Sequence, residues 1–241
     1  MKCKLKIVFI VSLAFIELIS IAGCKKIKTP DAAIEREQWI SGFSDSVEYY
    51  QHRSSQLEDQ LNIVNNKING LLQNFEFIKN PREVSGYYLL KGWSKKLPFT
   101  STAIYARINE NEKLELIATL AGGTFNRIGV GDCYSEIVPH DQAFNYRHER
   151  FNTVYFTGGK ADTIIEYIAR HELNKINLEF IEGSRKKNFI IPADEKEMIT
   201  QTWNLFEAKK DAMTLQKEQW ICSRKIETFR RILNEENKLG N

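Results

Sequence analysis

The chain has 241 residues, of which 42% are hydrophobic and 27% charged, and a formal net charge of +3. Those proportions belong to a folded chain with room for one or two domains, not to a disordered polyelectrolyte. The near-neutral balance gives no electrostatic footprint for nucleic acid, so no nucleic-acid partner is expected.

The chain begins with Lys2, Lys4 and Lys6, followed by an apolar run from Ile7 to Ile16 and then Ile21-Ala22-Gly23-Cys24. A basic start, an apolar stretch and small residues make a secretory signal. The apolar run is short for a bilayer core of about 30 Å. Small residues placed directly before a cysteine resemble the lipobox of bacterial lipoproteins. That resemblance implies cleavage ahead of Cys24 and a diacylglycerol anchor on its sulfur. The expected segments are then a signal over 1–23 and a lipidated linker over 24–29. Without the signal the net charge falls to about +1. Lys25, Lys26 and Lys28 stand beside the anchor, where anionic headgroups would attract them.

Thr29-Pro30-Asp31 combines an N-cap, a first-position proline and an early acid, which predicts a helix start. From Ile40 apolar residues recur at alternating steps of three and four, through Phe43, Val47, Tyr50 and Leu57 to Leu71, Phe75 and Ile78. The repeat predicts one long helix over 30–80, stopped by Asn80-Pro81, with a coiled-coil seam.

The texture then changes. Strands are predicted over 86–90, 101–108 and 113–120, with Asn109–Glu112 as a turn, and shorter ones at 126–130, 134–138 and 152–157. Thr157-Gly-Gly-Lys160 leads into a helix over 162–173, and two further strands surround a turn at 182–185. Residues 82–192 are therefore expected to form a mixed α+β head, a mostly antiparallel sheet carrying one helix, able to fold alone.

A second long helix is predicted over 194–237, with a weaker seam from Met198 through Leu205, Ala208, Ala212 and Leu215 to Ile226, Phe229 and Leu233. Trp203, Phe206, Met213 and Trp220 form a second stripe, which expects more than one neighbour and leaves room for a homo-oligomer. The expected fold class is α+β: two long helices making an antiparallel coiled-coil stalk around an inserted head, with Tyr50 opposite Ile226. Cys133 in the head and Cys222 about 40 Å along the second helix are too far apart for a disulfide.

Three stretches of the head carry functional residue types. The glycine-rich 122–132 lacks Gly-Lys-Ser/Thr and reads as a turn between strands. Thr157–Lys160 offers free amides at a helix start, an ordinary junction. The long connection 139–152 gathers His140, Asp141, Phe144, Tyr146, Arg147, His148, Arg150 and Phe151. Its aromatics and arginines are the types favoured at binding hot spots, so it is the candidate partner-binding loop. No catalytic set, metal-ligand spacing or cofactor motif is read from the chain.

The phrases Gly-Gly-Thr-Phe-Asn-Arg-Ile, Val-Pro-His-Asp-Gln-Ala-Phe-Asn-Tyr-Arg and Asn-Thr-Val-Tyr-Phe-Thr-Gly resemble uncharacterised coiled-coil lipoproteins of Bacteroides-type bacteria. That likeness implies an envelope lipoprotein and brings no activity with it. The lysines after Cys24, in place of acids, point to an outer-membrane anchor facing the periplasm. The reading that follows is a tethered, non-enzymatic protein that presents its head to a protein partner of the cell envelope. The alternatives are a clamp-type periplasmic chaperone, since helix–sheet–helix order resembles prefoldin-like clamps, and a small-ligand binder or enzyme using 139–152.

Overall fold

The computed structural model describes residues 30–79, 85–97, 99–136, 146–148 and 150–240. Two long helices, α1 (Pro30–Leu72) and α3 (Ala193–Gly240), enclose ten short strands and one further helix, α2 (Gly159–Arg170). The first sheet joins β1 (Phe75–Ile78), β2 (Tyr87–Leu90), β3 (Ala103–Asn109), β4 (Leu114–Ala121), β8 (Phe151–Thr157) and β7 (Tyr146–His148), in that spatial order. The second joins β10 (Arg185–Ile190), β9 (Asn177–Glu182), β5 (Arg127–Val130) and β6 (Cys133–Glu136). Every pairing in both sheets is antiparallel.

All seven residues of β3 are buried, and β4 is buried at all but two positions, Glu115 and Ala121. A strand covered on both faces cannot alternate cleanly, which explains the weak period-two signal of this pair. Asn109 sets the turn between them: its side-chain oxygen accepts from the amides of Asn111 and Lys113 at 3.0 and 2.9 Å. The 182–185 turn closes over Gly183, whose φ of +59° lies in the left-handed region that glycine enters freely. α2 buries Ala161, Ile164, Ile165 and Ile168 and lies against β4 and β8 of one sheet and β5 and β6 of the other.

The expected single mixed sheet is thus two antiparallel sheets, and the expected coiled-coil stalk is overturned by where α3 begins. Met198, Ile199 and Leu205 are fully buried in the same core as β3, and Trp203 is nearly so. α3 packs on β3, β2 and α2 before it reaches α1 alone. Its first five turns are therefore a wall of the sheet domain, and residues 82–192 are not a closed insertion. α1 is equally unlike half of a coiled coil. Leu57 is the one fully buried side chain among its described residues, while its other inward positions are half-exposed. A coiled-coil seam needs successive buried layers, which this helix does not supply.

α1 also stops at Leu72 instead of 80. Gln73-Asn74 turns the chain, and Phe75 enters the sheet opposite Leu90 while Phe77 pairs with Tyr88. The three-four repeat continued through Phe75 and Ile78 by chance, since residues three apart point to opposite faces of a strand. Asn80-Pro81 lies outside the described residues.

Where α1 and the far half of α3 touch, they run in opposite directions. Arg36 meets Glu236 at 3.3 Å and Arg53 meets Glu218 at 2.9 Å, while Phe43 and Tyr50 both stack near Phe229. The Tyr50 ring lies 5.9 Å from that of Phe229. Cys133 and Cys222 are free thiols. Among the described residues no helix is long and apolar enough to cross a membrane.

Two polar devices fix α3 in the head. The Lys196 ammonium, almost wholly buried, donates to the carbonyls of Glu172 and Asn174, closing the turn after α2. The Glu195 carboxylate accepts from the Ile104 amide at 3.0 Å, at the start of β3. Burial pushes the Glu195 carboxyl up to about 7, a rise opposed by the Ile104 amide and reinforced by Asp194. A carboxyl whose folded pKa exceeds its unfolded value binds its proton more tightly in the folded state. Its contribution to stability is complete below the unfolded value of 4.5 and lost as pH rises to about 7. Melting temperature should therefore fall between pH 5 and pH 8, and Glu195→Gln should flatten that fall. A profile unchanged by the substitution would refute the assignment.

Candidate functional site

The long connection expected to bind a partner is only partly described. Cys24, His140, Asp141 and Phe144 lie outside the described residues. Tyr146, Arg147 and His148 form β7, paired with Thr153, Asn152 and Phe151 at the edge of the first sheet. Arg150 is exposed in the turn, and its carbonyl accepts from the Gly122 amide at 2.9 Å. Phe151 is buried, so its ring serves the sheet and not the surface. The stretch therefore splits between a sheet edge and a buried anchor. An edge strand can accept another strand through its open backbone groups.

The glycine-rich stretch before it is a hairpin. Gly131, with φ of +55°, turns β5 into β6, and a side chain there would strike the Tyr167 hydroxyl, whose oxygen would stand 2.8 Å from its Cβ. Beside this turn is a half-open polar cleft of about 350 Å³ lined by Tyr167, His171, Asn174, Lys175, Asn177 and Glu179, among others. The Tyr167 and His171 rings stack at 4.3 Å. His171 Nδ1 lies 2.8 Å from the Tyr167 carbonyl, which can only accept, so Nδ1 donates that bond. The cleft offers donors, acceptors and one charge of each sign, but no serine, threonine or cysteine lines it. Among the described residues no group of three His, Cys, Asp or Glu side chains could hold a metal ion.

A second groove, also about 350 Å³, runs between the long helices and is lined by Gln60, Ile63, Val64, Asp211, Thr214 and Leu215. Ile63 is 70% exposed, and Tyr49, two heptads before it, is 63% exposed. Ile221 stands one heptad beyond Thr214 and is also exposed. A seven-residue step keeps the same side of a helix, so Tyr49 lies on the side of α1 that Ile63 presents to this groove, and Ile221 on the side of α3 that Thr214 presents. The seam hid this site: Tyr49 and Ile63 lie off the apolar repeat, and their mutual spacing of fourteen was the available signal.

The second stripe of α3 divides. Trp203 is buried and rests near Phe206 at 5.8 Å, while Met213 and Trp220 are exposed. Comparison with known proteins supplies no relative, since no family model, curated protein or solved structure matches the chain.

Proposed function

We propose that this chain is a lipoprotein anchored through Cys24 whose folded part holds a helical segment of a protein partner in the groove between α1 and α3, without catalysis. The observation that carries the binding role is the groove itself. Apolar Ile63, Val64 and Leu215 line it, and exposed Tyr49 and Ile221 stand on the same sides of their helices. Exposed apolar side chains gathered at a groove mark a site that is covered in use. An amphipathic helix laid into such a groove buries anchors at its own three-four spacing. The membrane placement rests on Ile21-Ala22-Gly23-Cys24, with the outer membrane and its periplasmic face favoured by Lys25, Lys26 and Lys28.

The two halves of the proposal are tested separately. Cys24→Ala should abolish acyl labelling and leave the precursor uncleaved; labelling that persists would remove the anchor. For the groove, a photo-crosslinking residue at Ile63 in cells should capture one discrete partner, and Leu215→Glu should cut that yield at least tenfold. Capture unaffected by Leu215→Glu would show that the groove is not the binding surface.

A further inference from the structure

The outer ridge of α3, opposite its contact with α1, repeats one residue type. Lys210, Lys217, Arg224, Arg231 and Lys238 follow at steps of seven, and all five are exposed. Over this span the ridge is about 42 Å long, with about 10.5 Å between charges. The matching ridge of α1 reads Gln38, Asp45, His52, Asp59 and Asn66, with no lysine or arginine. The lines of α3 on either side of the ridge carry no lysine or arginine over the same span. Glu207, Glu227 and Glu235 lie in lines beside the basic ridge, and Glu227 pairs with Arg224 at 3.1 Å. Along one of those lines stand Met213, 48% exposed, and Trp220, 61% exposed, with the Arg224 guanidinium 5.4 Å from the Trp220 ring.

We infer that this ridge is a docking surface for an anionic lipid bilayer, on which α3 lies lengthwise. The assignment rests on the proposed anchor at Cys24. Six steps of chain separate Cys24 from Pro30, a reach of roughly 20 Å. The start of α1 lies beside the end of α3, through Arg36 and Glu236. The ridge therefore begins within reach of the membrane that holds Cys24. Its geometry fits a plane of headgroups better than a compact acidic ligand. The charges sit farther apart than the screening length of about 8 Å at physiological salt, so each seeks its own counter-charge and they repel one another weakly. A bilayer supplies such charges along the whole line. Tryptophan and methionine beside basic residues are also the side chains that settle at the boundary between headgroups and acyl chains.

The test uses the acylated protein reconstituted into vesicles whose lipids carry bromine, which quenches tryptophan on contact. The Trp220 signal is the difference between wild type and Trp220→Phe. Quenching should be strong in phosphatidylcholine vesicles containing about a third phosphatidylglycerol, and weak in phosphatidylcholine alone or in high salt. Lys217→Gln, Arg224→Gln and Arg231→Gln together should lower the docked-to-undocked ratio by about 100-fold, at a factor of about five per charge. Retention of protein on vesicles in high salt reports the anchor independently. If it is lost, the Cys24 reading fails, and the same chain added outside anionic vesicles still tests the ridge. Trp220 left unquenched in anionic vesicles, or quenched equally in the triple variant, overturns the lipid assignment. So does a dimer in detergent that the triple variant abolishes while Trp220 stays unquenched, because the ridge would then be binding Asp45 and Asp59 of a second copy.

Discussion

A chain cut to residues 84–192 should fail to fold, although it contains nine of the ten strands and the whole of α2. The cut removes Met198, Ile199, Trp203 and Leu205, all buried in the core, together with Phe75 of β1. Fully burying a large apolar side chain is worth roughly 1.5–3 kcal/mol, so these losses together come to about 10 kcal/mol. That equals or exceeds the whole stability of most domains, about 5–15 kcal/mol. The cut also strips the Ile104 amide of its carboxylate and the Glu172 and Asn174 carbonyls of the Lys196 ammonium. Circular dichroism of the fragment should show little regular structure, and its amide spectrum should lack dispersion. Residues 30–240 should instead melt cooperatively. A cooperative transition in the short fragment would show that α3 only leans on the head.

The second large effect is expected at Arg107 and Glu115, on neighbouring strands β3 and β4. Their side chains are 5% and 13% exposed and meet at 2.6 Å, and the guanidinium lies 3.9 Å from the Tyr87 ring and 5.0 Å from that of Tyr155. The other carboxylate oxygen accepts from the Asn109 amide at 2.9 Å. Removing one member of a buried ion pair leaves a charge without its compensation and costs about 3–5 kcal/mol. Glu115→Ala should be destabilised by that amount in urea. Replacing both groups by apolar ones removes the charge as well as the bond, so Arg107→Met with Glu115→Leu should stay within about 2 kcal/mol of wild type. The residue of that loss belongs to the Asn109 amide, which is also buried. A Glu115→Ala cost below about 1 kcal/mol would mean that water reaches the pair.

Most strands were legible because their cues were local. Asn109–Glu112 and Glu182–Arg185 announced their turns, and Ile164, Ile165 and Ile168 announced the face of α2. What a single chain could not announce was the destination of each face. Met198, Leu205, Ala208 and Ala212 repeat as a coiled-coil seam would, yet the first of them close the sheet domain. An apolar stripe records that something covers it, not what does. Phe75 and Ile78 continued the helical repeat, and only pairing with β2 made them part of a strand. The eight strands expected from the sequence fall into two sheets and not one, because strand order depends on contacts far apart in sequence, such as β4 with β8 and β5 with β9. Within the candidate loop, nothing local signals that Phe151 turns inward. Nor did the near-neutral total charge show that five bases share one line of α3.

α3 has neither glycine nor proline from Ala193 to Leu239, and its threonines at 200, 202, 214 and 228 return their hydroxyls to carbonyls one turn back. Kinks in helices arise at proline, at glycine pairs or at inserted groups, none of which interrupts this one. One unbroken rod thus has its first turns clamped in the head by Lys196 and Glu195 and its last turns beside the start of α1. It works as a lever with no joint. Over its length of about 72 Å, a tilt of 5° at one end carries the other through about 6 Å. Whatever presses on the last turns of α3 is therefore felt at β3, and the attitude of the head is set by whatever holds the tip.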